Sequence, residues 1–253
     1  MKENAVKRTL AEGGIAVGTF MAEFKTPGIP RVLAAAGAQF ALFDQEHTGW
    51  SIEALRPVIA TARAHGVVPV VRVPAAQKYL IAAALDAGAL GVMVPMVASA
   101  EQAREIVAAS KFPPVGRRGV GPMYADELDD DLLSTLARMN RELLVLAMIE
   151  TEEGLANVDE IAAVEGVDIL WIGHFDLTCS LGIPARFDDR RYLDALDRIQ
   201  AAAEAHGKAI GMLAMSGDEG QRLARRGFRC IAFGDSGVYA QALRTVFAQA
   251  TAG

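Results

Sequence analysis

VVPVVRVPAAQKYLIAAALDAGALGVMVPMV, residues 67–97, contains one full turn of the pattern on which the whole chain is built. An apolar run (Val67–Pro74) gives way to a polar break. An Ala/Leu-rich segment of helical period (Gln77–Ala87) follows, then Gly88, then a second apolar run (Leu90–Val97). Apolar runs without polar alternation are the mark of parallel strands buried on both faces. Two such strands joined through a helix form a right-handed βαβ unit. Outward from this stretch the rhythm recurs, giving further runs at Ile15–Met21, Phe40–His47, Leu143–Glu150, Val167–Asp176, Lys208–Met215 and Cys230–Asp235. Between them, Ser51 before Ile-Glu-Ala predicts an N-cap for a helix that stops at Gly66, and Asp188–His206 stops in the same way at Gly207.

Eight βα units favour a closed barrel over an open doubly wound sheet. A dinucleotide-binding sheet would carry Gly-x-Gly-x-x-Gly after its first strand, whereas Gly13-Gly14 precede it. The expected fold is therefore one (β/α)8 barrel spanning residues 1–253, a length close to the roughly 250 residues usual for this architecture. MKENAVKRTLAEGG (1–14) reads as an extra N-terminal amphipathic helix, and a further helix is expected near Leu128–Arg141. FPPVGRRGVGPMYAD (112–126) is irregular and reads as a rim of the site or a subunit contact.

Composition narrows the function. Net charge is −6 with no basic run, which argues against a nucleic-acid partner, because phosphate neutralisation needs clustered Lys and Arg. Mean hydropathy is +0.23, yet Gly, Pro or charge interrupts every apolar stretch before the ~18 residues of a membrane span. The N-terminus lacks the apolar core of a signal peptide. Cys179 and Cys230 form no CxxC pattern and fit a reducing cytoplasm, the expected location.

In a (β/α)8 enzyme the chemistry sits at the C-terminal strand ends. The polar ends here are Asp44-Gln45-Glu46-His47, Arg72, Glu150-Thr151 and His174-Phe175-Asp176, whereas the first, fourth and seventh runs end in apolar or neutral residues. Glu150 and Asp176 are read as closing adjacent strands, about 5 Å apart. Two carboxylates so close repel one another unless a cation bridges them, and an all-oxygen pair suits Mg²⁺ or Mn²⁺. Arg72 interrupts an apolar strand and must be paired. It either bridges to Glu46 or Asp44, or holds the developing oxyanion of a substrate. His47 is the natural proton carrier, with Asp44 near enough in sequence to meet it. His65 and His206 precede helix-ending glycines and read as surface caps. Lys208 begins its run instead of ending it, which disfavours a Schiff-base mechanism.

Six blocks in order, FDQEH (43–47), VVRVP (70–74), LDAG through VMVPMV (85–97), PPVGRRGVG (113–121), MIET (148–151) and WIGHFDL (171–177), resemble the HpcH/HpaI aldolases over nearly the whole chain. The resemblance implies a metal-dependent class II pyruvate aldolase of the phosphoenolpyruvate/pyruvate superfamily. It implies a barrel with an exchanged C-terminal helix, assembled as a homohexamer, a trimer of dimers. On this pattern Glu150 and Asp176 bind a divalent metal (Mg²⁺ or Mn²⁺, with Co²⁺ as a further option), His47 is the base and Arg72 stabilises the transition state. Asp86 matches the family aspartate that tunes the histidine. It lies at the far end of its helix and could reach a site only across a subunit interface, so Asp44 is the nearer partner. Substrate contacts fall on Arg72, Met148, Phe175 and Asp176.

The chain departs from the family pattern in three places. Met148 stands where Gln is frequent, Gly173-His174-Phe175-Asp176 replaces Gly-Pro-x-Asp, and Pro122 replaces a common Ser. These changes leave the aldehyde open. The expected reaction is reversible cleavage of a 4-hydroxy-2-oxo acid to pyruvate, or a related 2-oxo acid, and an aldehyde. Oxaloacetate decarboxylation and a citrate-lyase-type cleavage of an acyl-CoA are the alternatives.

Overall fold

The computed structural model describes residues 3–121 and 131–251. Eight parallel strands, β1 (Ala16–Met21), β2 (Phe40–Asp44), β3 (Val68–Arg72), β4 (Gly91–Val94), β5 (Leu144–Ile149), β6 (Ile169–Ile172), β7 (Ala209–Ala214) and β8 (Cys230–Gly234), close into a barrel in sequence order. β8 pairs back onto β1. All eight runs read from the sequence are strands. The expected ends overshoot, however: Glu46-His47 lie in a turn beyond β2, and Asp176 lies beyond β6 altogether.

The helices are α1 (Ala5–Ala11), α2 (Ile29–Ala35), α3 (Ile52–Ala64), α4 (Lys78–Asp86), α5 (Ala100–Ser110), α6 (Leu132–Glu142), α7 (Glu152–Ala156), α8 (Val158–Ala162), α9 (His174–Ser180), α10 (Arg190–Ala205), α11 (Gly217–Arg226) and α12 (Asp235–Thr251). The Ser51 hydroxyl accepts the Ala54 N–H at the start of α3. The same helix stops at Gly66, whose φ of +76° is left-handed. The expected N-terminal helix is α1, capped by the Asn4 side chain. The expected helix near Leu128 is α6; its projected first residues, like Pro122, lie outside the described residues.

Side-chain alternation divides the core in two. On β5, Leu144, Leu146 and Met148 point into the barrel with Phe40, Leu42, Val68, Val70 and Trp171. Val145, Ala147 and Ile149 point outward into the layer shared with the helices. Glycine thins the interior where it must: a Cβ on Gly18 would collide with the ring and carbonyl of Phe40. The same parity carries the functional residues. Asp44 follows Phe40 and Leu42, and Arg72 follows Val68 and Val70, so both belong to the inner face at its upper end. The register pairs them directly.

Residues 112–121 fold back at the foot of the barrel, not at its rim. Lys111 Nζ donates to the Leu143 carbonyl just before β5, and the N–H groups of Arg117 and Arg118 return to the end of α5. Among the described residues no helix is long and apolar enough to cross a membrane.

Candidate active site

Asp44 and Arg72 form the floor of the mouth. Arg72 Nε and Nη2 donate to the two oxygens of Asp44, each at 2.8 Å, in a bidentate pair buried on both sides. The remaining nitrogen, Nη1, lies 3.1 Å from Glu46 Oε2 and 4.0 Å from Met148 Sδ. The guanidinium also sits 4.8 Å from the ring of Phe20. Both salt-bridge partners anticipated for Arg72 are thus engaged together.

The turn after β2 is organised by Asp44 as well. Its carboxylate accepts the N–H of Glu46 at 2.9 Å and of His47 at 3.3 Å, while the Thr48 hydroxyl donates to the Asp44 carbonyl. This corrects the expected pairing. The Asp44 carboxylate meets the His47 backbone, and the imidazole faces Glu46 instead, Nε2 to Oε2 at 3.7 Å. Glu46 therefore bridges Arg72 and His47, a position the sequence reading gave it only as a salt-bridge option. Burial raises its pKa, against the opposing pull of Arg72 and His47.

Glu150 follows β5 and is 2% exposed. Its Oε1 accepts the N–H of Met96 at 2.7 Å. Met96 adopts a left-handed φ of 56° to present that N–H, a strained conformation for a residue with a side chain. Burial lifts the Glu150 carboxyl to about 7, and the negative charges of Glu46 and Asp176 push the same way. Asp176 does not close β6. It lies in the first turn of α9, where a carboxylate is favoured by the exposed N–H groups. Gly173 makes that switch from strand to helix, and a Cβ there would run into Glu150 Oε2.

A cavity of 260 Å³ opens at this end of the barrel, with Arg72, His47 and Asp176 on its wall and Met148 and Phe175 beside them. Asp86 is not brought here. It ends α4 at the opposite end of the barrel and pairs with Arg118 at 2.6 Å. Lys208 precedes β7 at that same foot and donates to the carbonyls of Val164 and Val167. His65 and His206 are the C-caps of α3 and α10, as expected. His174, in contrast, is buried in the cavity wall, and desolvation lowers its pKa against the pull of Glu219 and Asp176.

Among the described residues no group of three or more His, Cys, Asp or Glu is arranged to hold a metal. Glu150 and Asp176 nevertheless fit a hard divalent cation. Such ions are commonly held by one or two carboxylates, with water and substrate oxygens completing the shell. A cation would also replace the proton that burial otherwise forces onto Glu150.

A closed (β/α)8 barrel with an arginine and a cluster of acids at its C-terminal mouth defines a class, the barrel enzymes whose chemistry is built at the C-terminal strand ends. The model of the HpcH/HpaI aldolase/citrate lyase family matches residues 18–242. A hydroxypyruvate/pyruvate aldolase of Roseovarius nubinhibens is 34% identical over 248 residues, 97% of this chain and 96% of that protein. A 2-keto-3-deoxy-L-rhamnonate aldolase of Escherichia coli K12 is 33% identical over 242 residues, covering 95% and 90%. The crystal structure of an HpcH/HpaI aldolase from Desulfitobacterium hafniense DCB-2 superposes with a TM-score of 0.91 at 28% identity, covering 98% of this chain and 96% of that one. The chain belongs to the HpcH/HpaI aldolase/citrate lyase family and is a carbon–carbon lyase.

Proposed function

We propose that the protein reversibly cleaves a 4-hydroxy-2-oxo acid to pyruvate, or a close 2-oxo acid, and an aldehyde, with Glu150 and Asp176 holding a divalent cation, Mg²⁺ or Mn²⁺. The observation that carries this reading is the clustering of Arg72, His47 and Asp176 around one small cavity, with buried Glu150 adjoining Asp176. When bound, the cation supplies Lewis acidity toward the 2-oxo group.

The chain's own groups account for the rest. Arg72 is fixed on three sides by Asp44, Glu46 and Phe20, so its charge is oriented before substrate arrives and stabilises the enolate oxygen without reorganising. The N–H groups at the start of α9, near Phe175 and Asp176, offer donors to the substrate carboxylate. His47, with Glu46 against its ring, takes the proton of the 4-hydroxyl as the C3–C4 bond breaks. The bonding pair passes to C3 and the enolate oxygen, the aldehyde departs, and a proton returned to C3 completes pyruvate. Addition runs the same sequence backwards.

The reading also has the chain assembling with copies of itself through α12. That helix buries Asp235 but leaves Val238, Tyr239, Val246 and Phe247 exposed, beside an apolar groove of 440 Å³ formed with α2 and β1. A homohexamer with exchanged last helices would cover both. Two free thiols support a cytoplasmic setting.

The test is proton exchange at the pyruvate methyl, followed by NMR in D₂O with Mg²⁺ or Mn²⁺ and after exhaustive chelation. Exchange that needs the cation, together with pyruvate release from a 4-hydroxy-2-oxo acid, is expected. Exchange that survives chelation overturns the role given to Glu150 and Asp176.

A further inference from the structure

Arg72 and Asp176 are assigned above to the 2-oxo acid end of the substrate and His47 to the 4-hydroxyl. Apart from the His174 imidazole, what remains of the described wall is apolar. Phe20, Leu213, Trp171 and Met148 line it together with the rings of His174 and Phe175. The aromatic surface continues outward from there. His174 and Phe175 lie 4.5 Å apart between centroids, Phe175 and Phe187 5.3 Å, and His174 and Phe187 5.4 Å. Phe187 is in turn anchored on buried Tyr192 at 5.6 Å.

Phe175 and Phe187 remain 48% and 38% exposed, although both are held in edge-on contacts that fix their position. Phe175 lies on the cavity wall and Phe187 packs against it, and rings fixed in this way and open to water form a preorganised apolar surface. Covering it with an apolar group is favourable, whereas a hydroxyl placed against it loses its water and gains no partner. A polyhydroxylated aldehyde would bring several such hydroxyls. Desolvating them unpaired costs affinity, a discrimination of up to about 100-fold for a hydroxyl brought into an apolar pocket.

We propose that the His174, Phe175 and Phe187 surface is the subsite for the aldehyde's substituent, and that it selects an apolar or aromatic aldehyde over a polyhydroxylated one. This rests on the aldolase reading above and adds the class of the second substrate. It also separates this chain from a sugar-acid aldolase, since among the described residues that surface offers a sugar's hydroxyls the His174 imidazole and otherwise only hydrocarbon rings.

The experiment compares kcat/KM for aldol addition of pyruvate to two aldehydes of similar size, benzaldehyde and erythrose, in wild type and in Phe175→Ser, Phe175→Leu and Phe187→Ser. Methyl exchange of pyruvate alone is recorded in parallel. Benzaldehyde is expected to be favoured at least tenfold by wild type. Either serine variant should cut that ratio by about tenfold, and Phe175→Leu should restore most of it. Methyl exchange with erythrose preferred, or serine variants that leave the ratio unchanged, would overturn the subsite alone. Absence of methyl exchange would overturn the aldolase reading and the subsite with it.

Discussion

Arg72 shows how one residue can be both structural and chemical. Its guanidinium is buried against Asp44, itself 2% exposed, so the pair is costly to break from either side. Arg72→Ala leaves Asp44 and Glu46 facing each other without a counter-charge. It should destabilise the fold by roughly 3–5 kcal/mol and lower turnover by at least ~100-fold, since removing one preorganised oxyanion donor costs about that much. Thermal melting and pyruvate release measure the two effects separately. Near-normal turnover in the variant would remove Arg72 from the chemistry. Glu150 makes a different demand. Burial holds its carboxyl at about 7, above the ~4.3 of an exposed glutamate, so the folded chain keeps a proton that the unfolded chain has released. Its contribution to stability is therefore complete below pH ~4.3 and is lost as pH rises through about 7, an effect of roughly 3 kcal/mol. Without added cation, the melting temperature should fall between pH 5 and 8 more steeply in wild type than in Glu150→Gln. Mn²⁺ affinity should rise over the same range as that proton leaves. Affinity that is flat with pH would contradict this account of Glu150.

At the scale of elements, the barrel was legible because the apolar runs are long enough to set their own period, and parity along each run then fixes which residues face inward. Asp44 and Arg72 are legible at the mouth because they stand at the C-terminal ends of their runs, and the parity seen in the structure turns both inward. What parity cannot show is where a strand stops. The His47 ring turns to Glu46 because Asp44 uses its oxygens on the N–H groups of Glu46 and His47 and on Arg72. That is a three-dimensional competition with no trace in the order of the letters. Asp176 was misplaced for a similar reason: Gly173 lets the chain leave β6 early and wind into α9. Asp86, in contrast, lies at the far end of the barrel, as its place at the end of its helix implies, and pairs there with Arg118. Gly173 is the element-scale test. An alanine Cβ there would press on the Glu150 carboxylate and lie 2.8 Å from Met148 Cε, closer than van der Waals contact allows. Gly173→Ala should cost about 1–3 kcal/mol through overpacking and should weaken Mn²⁺ binding measurably by calorimetry. An alanine variant with unaltered melting and cation affinity would mean that this glycine is not required by its neighbours.

For the whole molecule, the informative feature is a helix, α12, whose large apolar side chains this chain leaves exposed. α12 follows β8 directly and would ordinarily bury an apolar stripe on the barrel. Instead Val246 and Phe247 are 57% and 60% exposed, and Val238 and Tyr239 flank an apolar groove that the same chain leaves partly open. Large apolar side chains clustered on one exposed helix mark an association surface, not a solvent-facing one. If copies of the chain exchange this helix, charge at its outer half should block assembly while leaving the barrel closed, because β1 and β8 pair without it. Phe247→Asp combined with Val246→Asp should therefore shift the mass measured by light scattering from a hexamer toward smaller species, with far-ultraviolet circular dichroism essentially unchanged. The effect should grow on dilution, since association is governed by mass action. A double variant that keeps the wild-type mass at sub-micromolar concentration would show that α12 is not the assembling element, and the exposed stripe would then need a different partner.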